Sequence, residues 1–140
     1  ARKVAAAYRN NLKPLLCVGE TQEERAAGKT EARITGQLES DLQGLTKAQA
    51  ALLTVAYEPL WAIGTGNTAT PADAQAVCKL IRTKLEDMFG DDVTRHIRVL
   101  YGGSVKDTNA ASFRIDGIDG VLVGGASLQA DSFARIARSF

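Results

Sequence analysis

The sequence predicts a parallel α/β fold, either an open sheet or a barrel. Three features predict it: short apolar runs, helical segments between them, and glycine-rich loops that follow the runs. Four runs read as strands, at residues 14–18, 51–57, 97–101 and 120–123. Each run is apolar almost throughout instead of alternating, which is typical of strands buried on both faces of a parallel sheet.

The segments between the runs have the periodicity of amphipathic helices. Apolar residues recur three or four positions apart in two stripes: Ile34, Leu38, Leu42 and Leu45, then Val77, Ile81, Leu85 and Met88. Thr70 and Pro71 form a helix start before the second stripe, and Gly90 is expected to end that helix.

Three further helices are expected from weaker signals. One lies before the first strand, a second begins at Asp107 and runs to Phe113, and a third follows Asp131. Their apolar positions are Val4, Tyr8 and Leu12 for the first, and Phe133, Ile136, Ala137 and Phe140 for the last. Strand and helix units in alternation give a parallel sheet with the site at the carboxyl ends of its strands.

Composition fits one soluble globular unit over residues 1–140, with 45% hydrophobic and 24% charged residues and a net charge of +1. This balance gives no reason to expect a nucleic acid or a membrane as partner, and no apolar run approaches the roughly 20 residues of a membrane span. The first residues lack the apolar core of a signal peptide. Cys17 and Cys78, without paired spacing, suggest buried thiols in a reducing cytoplasm.

Glu58 is the candidate general base, because it stands where the second strand ends and a distinctive loop begins. The loop, residues 59–66, starts with Pro59, has the apolar residues Leu60, Trp61, Ala62 and Ile63 in its middle, and ends with Gly64, Thr65 and Gly66. A carboxylate under a mobile, water-excluding cover suits proton abstraction next to a carbonyl. The alternatives are a solvated carboxylate and a loop that simply packs on the core.

Two glycine pairs follow the last two strands and are candidate anion sites. Gly102 and Gly103 precede Ser104, and Gly124 and Gly125 precede Ser127. Glycine lets backbone N–H groups approach a phosphate closely, although glycine pairs also form plain turns. A phosphate site after the last two strands recurs in eight-stranded barrels.

Other chemistry is not expected. His96 is the only histidine and precedes the third strand, at the end away from the glycine loops. Neither cysteine has a nucleophile's setting. The sequence has no metal-ligand cluster and no dinucleotide-binding glycine pattern, so we expect neither metal nor cofactor.

These segments resemble the triosephosphate isomerase family. The resemblance is carried by LCVGET at residues 16–21, AYEPLWAIGTG at 56–66, YGGSV at 101–105 and LVGGASL at 122–128. Their order and spacing agree with the family over the whole chain. The resemblance implies a (β/α)8 barrel, of which 140 residues carry about four units, strands five to eight, as a partial domain.

The resemblance also implies roles for individual residues. Glu58 corresponds to the base that moves a proton between C1 and C2 of dihydroxyacetone phosphate, in glycolysis and gluconeogenesis. The phosphate grip is the backbone N–H groups of Gly64, Ser104, Gly124 and Gly125, and residues 59–66 are the lid. Glu20 is implied as the partner of Trp61, Tyr101 as the latch of the closed lid, and Arg82 with Asp119 as a buried ion pair.

The family's Asn, Lys and electrophilic His have no counterpart in the 140 residues. We therefore expect the chain alone to have negligible isomerase activity. Four strands would leave two open sheet edges and one uncovered face. The open alternatives are a piece of a full barrel that associates with the N-terminal half, a half-barrel that pairs with its own copy and binds only phosphate, and a rearranged open sheet.

Overall fold

The computed structural model describes residues 1–63 and 67–140. Four strands form one sheet in chain order, and every neighbouring pair is parallel. The strands are β1 (Leu15–Val18), β2 (Thr54–Tyr57), β3 (Arg98–Tyr101) and β4 (Gly120–Val121). The predicted parallel α/β architecture is confirmed.

Helical segments connect the strands and flank the sheet. They are α1 (Arg2–Arg9), α2 (Gln22–Ala26), α3 (Thr30–Leu42), α4 (Lys47–Ala50), α5 (Pro71–Phe89), α6 (Asp91–Thr94) and α7 (Ala130–Ala137), with 3₁₀ turns at Ala110–Phe113 and Gly125–Leu128. Within the described residues, no helix has both the length and the apolar character needed to cross a bilayer.

Helix α5 begins and ends where the sequence predicts. The Thr70 hydroxyl accepts from the Asp73 N–H (3.1 Å), and the Asp73 carboxylate accepts from the Thr70 N–H (3.3 Å), which completes a capping box. Gly90 follows the last turn with φ of 90°, a conformation that glycine adopts without steric cost. Residues local to each end, the capping box and Gly90, therefore determine where the helix begins and ends.

The core lies between one face of the sheet and helices α3 and α5. Tyr57 and Tyr101 stand at its centre on neighbouring strands, and the Tyr101 ring stacks on Phe113 with centroids 4.3 Å apart. The two predicted stripes point into this core, where the fully buried members are Ile34, Leu38, Leu42, Ile81 and Leu85. Leu45 lies beyond the end of α3, where it is partly buried and packs against the edge of the core.

Strand β1 is not buried on both faces, so that expectation is wrong. Leu16 and Val18 pack on the core, whereas Leu15 is 41% exposed and Cys17 is exposed. Because successive side chains alternate between faces, the residues facing away from the helices are left open to solvent along this strand. The sequence predicts two buried thiols, and only that of Cys78 is buried.

Three of the weaker helix expectations need correction. Asp107 caps no helix; its carboxylate pairs with the Arg135 guanidinium (2.8 Å), and only the 3₁₀ turn forms before Phe113. Leu12 lies outside α1 and is exposed, since that helix ends at Arg9. Ile136 on α7 is buried, but Phe133 on the same helix and Phe140 beyond its end are exposed.

The ion pair between Arg82 and Asp119 forms, but it is not buried. The Arg82 side chain is 26% exposed and that of Asp119 is 38% exposed. Asp119 also accepts a hydrogen bond from the Val99 N–H (2.7 Å), and Arg82 donates to the Gly117 carbonyl (3.2 Å). The pair therefore ties helix α5 to the start of β4, at the surface.

Two leucine-to-alanine variants test where the core lies. Leu85 on α5 is completely buried, so Leu85→Ala should lower the free energy of unfolding by about 2–5 kcal/mol. Leu52→Ala makes the same change at a 57% exposed side chain and should stay within about 0.5 kcal/mol of the parent. Urea unfolding followed by circular dichroism measures both, and equal losses would contradict this placement of the core.

Candidate active site

A cavity of about 730 Å³ opens where β2, β3 and β4 end. Glu58 follows β2, Ser104 follows β3, and the pair Gly124 and Gly125 follows β4. All four residues line this one cavity, together with Ile63. The structure thus brings together the candidate base, both glycine loops and a described residue of the loop after Glu58.

Two glycines allow Glu58 to stand at the cavity wall. A Cβ atom on Gly19 would lie 1.8 Å from the Glu58 carbonyl oxygen, and one on Gly102 would lie 2.7 Å from Glu58 Cγ. The Glu58 N–H donates to the Val18 carbonyl (2.7 Å), which extends the β1–β2 ladder by one bond. Gly19 in turn donates its N–H to the Gln37 side chain (3.0 Å). The half-buried Glu58 is therefore packed between two glycine backbones.

Cys17 is a neighbour of Glu58 that the sequence did not reveal. Partial burial and the Glu58 carboxylate, which disfavours a second negative charge, together raise the pKa of the Cys17 thiol to about 11. The thiol consequently stays protonated at neutral pH. The alternation of side chains along β1 and its position next to β2 are the only signals that could have placed it there.

Glu20 binds the aromatic side chains that flank the candidate base. It is completely buried, and its Oε1 accepts hydrogen bonds from the Tyr57 hydroxyl (3.0 Å) and from the Trp61 indole N–H (3.1 Å). The polar atoms of both aromatic side chains therefore meet at Glu20. Burial and the Glu20 carboxylate together raise the pKa of Tyr57, which therefore donates to the carboxylate.

The described part of the loop after Glu58 is tied down at several backbone groups. The Leu60 N–H donates to the Glu20 carbonyl (3.0 Å), and the Ala62 N–H donates to the Pro59 carbonyl (2.9 Å), forming a turn. Ala62 is buried, whereas Leu60 is 50% exposed and Ile63 is 46% exposed. Of the apolar side chains that the sequence assigns to a cover, Leu60 and Ile63 are thus at the surface, and Ile63 lines the cavity. Gly64, Thr65 and Gly66, also predicted for this loop or for phosphate binding, lie outside the described residues.

Ser104 links the loop after β3 to the loop after β2. Its hydroxyl donates to the Ala62 carbonyl (2.9 Å), so this hydroxyl proton is already engaged within the protein. The Asn109 side chain supports the same loop, because it donates to the Ser104 carbonyl (2.9 Å) and accepts from the Lys106 N–H (2.8 Å). Only the Ser104 backbone N–H remains as its candidate contribution to an anion site.

Gly124 and Gly125 open the 3₁₀ turn Gly125–Leu128 and are exposed at the cavity. The Gly124 carbonyl accepts from both the N–H (2.9 Å) and the hydroxyl (2.7 Å) of Ser127, which fixes the turn. Across residues 1–63 and 67–140, no acceptor takes the N–H of Gly124, Gly125 or Ser104. Three backbone donors at one cavity wall are the arrangement that binds phosphate oxygens.

Tyr101 lies beneath the loop after β3. Its ring is completely buried, and a Cβ atom on Gly103 would lie 2.0 Å from its hydroxyl oxygen, so that position must be glycine. Burial raises the Tyr101 pKa, and the hydroxyl lies near the backbone of Ala69 without a hydrogen bond to any described residue. Its role as a latch for the lid remains a prediction.

Two charged residues at the cavity escaped sequence reasoning. Lys106 and Asp107 both line it, and Asp107 is paired with Arg135. Their position shortly after Gly102–Ser104 is the sequence feature that could have indicated that they lie at the cavity. By contrast, His96 is exposed and precedes β3, at the opposite end of the strand from the cavity.

In the part of the chain that the structure describes, no group of three or more His, Cys, Asp or Glu side chains is placed to hold a metal ion. Among the described residues, the cavity offers two carboxylates (Glu58 and Asp107), the ammonium group of Lys106 and backbone donors. Strand-end loops that surround one cavity at the carboxyl ends of parallel strands are typical of α/β-barrel proteins.

The comparisons with known proteins specify the family. The family model for triosephosphate isomerase matches residues 1–140. The chain is similar to triosephosphate isomerases from Roseiflexus sp. strain RS-1 (53% identical) and Moorella thermoacetica (54%), each over 136 residues and 96% of this chain. A third, from Clostridium perfringens, is 51% identical over the same share.

The chain belongs to the triosephosphate isomerase family. It spans about half the length of the curated relatives that it matches, 54% for the Roseiflexus and Moorella proteins and 55% for the Clostridium protein. Four parallel strands are half of the eight in a complete barrel of this type.

The pH dependence of Cys17 alkylation tests its placement beside Glu58. With a pKa of about 11, the iodoacetamide rate should still rise roughly tenfold per unit between pH 8 and pH 10. An ordinary thiol would level off near its pKa of about 8.5. Glu58→Gln removes the neighbouring charge and should speed alkylation at pH 8, because more thiolate is present.

Glu86→Gln, at an exposed position on α5, is the matched control and should leave the rate unchanged. Cys17→Ser identifies any contribution of buried Cys78, whose pKa burial raises to about 12. A plateau below pH 9, or equal rates for Glu58→Gln and Glu86→Gln, would show that the carboxylate does not act on this thiol.

Proposed function

We propose that this chain supplies the base, the lid and the phosphate site of a triose-phosphate isomerase. The observation that carries the proposal is the shared cavity, which Glu58, Ser104, Gly124 and Gly125 line together. The substrates would be dihydroxyacetone phosphate and D-glyceraldehyde 3-phosphate, interconverted in glycolysis and gluconeogenesis in the cytoplasm. The reaction moves a proton and needs no cofactor.

Glu58 is the proton carrier in this proposal. Its carboxylate removes a proton from C1 of dihydroxyacetone phosphate, and the C–H bonding electrons form an enediolate. The hydroxyl proton on O1 moves to O2, and the carboxylic acid returns a proton to C2, so that C1 becomes the aldehyde of glyceraldehyde 3-phosphate and the base is regenerated. The close packing of Glu58 against Gly19 and Gly102 supports this role, because a base must be held at a defined place.

The phosphate would bind to backbone N–H groups at the far wall of the cavity. Those of Ser104, Gly124 and Gly125 are available in the described structure, and Gly64 is proposed as a fourth. Pro59, Leu60, Trp61, Ala62 and Ile63, with Thr65 and Gly66, form the proposed lid that excludes water from the enediolate. Glu20 and Tyr101 support that lid.

The 140 residues alone are proposed to be almost inactive, as a partial barrel domain. The enediolate oxygen needs preorganised donors, and loss of one such donor costs roughly 10²- to 10³-fold in rate. His96 is the only histidine and is exposed at the opposite strand end. An Asn, a Lys and a His from the N-terminal half of the barrel would complete the site.

A second candidate is a non-catalytic half-barrel that associates with its own copy and keeps only phosphate binding. The exposed side of β1, with Leu15 at 41% exposure and Cys17, favours it, as do the outer edges of β1 and β4, which pair with no further strand in the described part of the chain. Two copies related by a two-fold axis could pair β4 of each with β1 of the other. Light scattering that finds a dilute, stable monomer would exclude this candidate.

Turnover of glyceraldehyde 3-phosphate separates the two candidates. The 140-residue chain should show negligible isomerisation, while the same chain joined to the N-terminal half of a relative should be active. In the joined protein, Glu58→Gln should lower kcat by about 10²- to 10⁴-fold, the usual contribution of general acid–base catalysis.

Glu86→Gln is again the matched control, because Glu86 is exposed on α5 and does not line the cavity. It should leave kcat unchanged. An unaffected kcat in Glu58→Gln would refute the assignment of the base, and near-normal turnover by the 140-residue chain would refute its proposed dependence on the other half.

A further inference from the structure

Arg25, on α2, contacts three side chains that no motif assigned to it. Its Nη2 lies 2.9 Å from Asp73 Oδ1, and its Nη1 lies 3.6 Å from Glu20 Oε1. Its guanidinium carbon lies 4.7 Å from the centroid of the Trp61 ring. One side chain therefore contacts an aromatic residue, a buried carboxylate and the first turn of α5.

The Glu20 end of this cluster is buried. Glu20 Oε1 accepts from Tyr57 and Trp61, while Oε2 has no hydrogen-bond partner within residues 1–63 and 67–140. Among the described residues, Arg25 is the one cation within 4.0 Å of this carboxylate. A carboxylate removed from water is stable only with hydrogen bonds and a countercharge, so the Glu20–Trp61 contact depends on Arg25.

The Asp73 end of the cluster anchors α5. One oxygen of the Asp73 carboxylate accepts from the Thr70 hydroxyl (2.7 Å) in the capping box, and the other pairs with Arg25. The hydrogen bond from Thr70 and the Arg25 guanidinium hold the pKa of Asp73 below its usual value. Arg25 is thereby bound to a fixed point just beyond the proposed lid.

We infer that Arg25 is a positioning residue that holds Trp61, and with it the first half of the lid, in its resting place. This inference rests on the proposed function, because it takes residues 59–66 as the lid. Asp73 fixes the guanidinium, the guanidinium lies over the Trp61 ring, and Glu20 accepts from the indole N–H. Movement of the lid must break or rearrange these three contacts together.

The chemistry of arginine suits this position better than that of lysine. A guanidinium is planar, so it can stack on an indole while its edge nitrogens bind two carboxylates. An ammonium group is a compact, strongly hydrated charge that can keep an ion pair but cannot stack in this way. Arg25→Lys should therefore recover part of the effect of Arg25 and not all of it.

Trp61 is the only tryptophan of the chain, so its fluorescence reports on this contact directly. Acrylamide quenching of the 140-residue chain, without substrate, measures how often the indole leaves its place. In Arg25→Ala, the undocked population should rise about fivefold, the factor that a contact of about 1 kcal/mol sets. The emission should also shift to the red.

Two further variants accompany the measurement. Asp73→Asn keeps the shape but removes the anchor charge, and should increase quenching less than Arg25→Ala does. Arg33→Ala is the matched control: it also removes an arginine paired with an α2 residue, Glu24 (3.6 Å), but lacks a stacking contact with Trp61. It should leave quenching unchanged.

If Arg25→Ala folds and is quenched no more than Arg33→Ala, the inference is overturned, even if the melting temperature of Arg25→Ala falls. Should Arg25→Ala fail to fold, Asp73→Asn and Arg25→Lys decide: unchanged quenching in both overturns the inference. Because the quenching measurement uses no substrate, its outcome does not depend on isomerase activity. Absence of activity would therefore not contradict the role of Arg25, and presence of activity would not support it.

Discussion

The parallel register of four strands is the constraint on which the rest of the structure depends. Val18, Tyr57 and Tyr101 are level with one another across β1, β2 and β3. Since these strands run in the same direction, the residues that follow them emerge at one edge of the sheet. Glu58, the loop beginning at Gly102 and the Gly124 turn meet at one cavity for this reason, although they are far apart in the sequence.

Much of this fold could be predicted from local patterns. Thr70, Pro71 and Gly90 bound α5 because capping chemistry acts within a few residues and does not need the rest of the protein. The exposure of Leu15 and Cys17 could not be predicted this way. An apolar run shows that a strand can be buried, whereas burial also requires a neighbouring layer on each side.

The candidate site likewise contains residues that local motifs predict and residues that only the folded structure brings together. Glu58 and the glycine pairs stand in distinctive short segments, and the structure places them at one cavity. Cys17 beside Glu58, and Arg25 between Trp61 and Asp73, are long-range contacts set by the register and by the path of α2. No spacing in the sequence encodes them. The Ser104 hydroxyl shows that residue type alone does not assign a role. A hydroxyl is suited to bind an anion, but in the structure it donates its hydrogen bond to a backbone carbonyl.

The central claim is that three strand-end loops form one phosphate-binding cavity. A titration of the ¹⁵N-labelled chain with inorganic phosphate, followed by amide NMR shifts, tests it most directly. We predict that the amides of Ser104, Gly124 and Gly125 shift together with one saturation curve, while those of Gly28 and Gly44, in turns outside the cavity, stay in place. Shifts at Gly28 and Gly44 alone, or separate curves for Ser104 and the Gly124 turn, would contradict a single site.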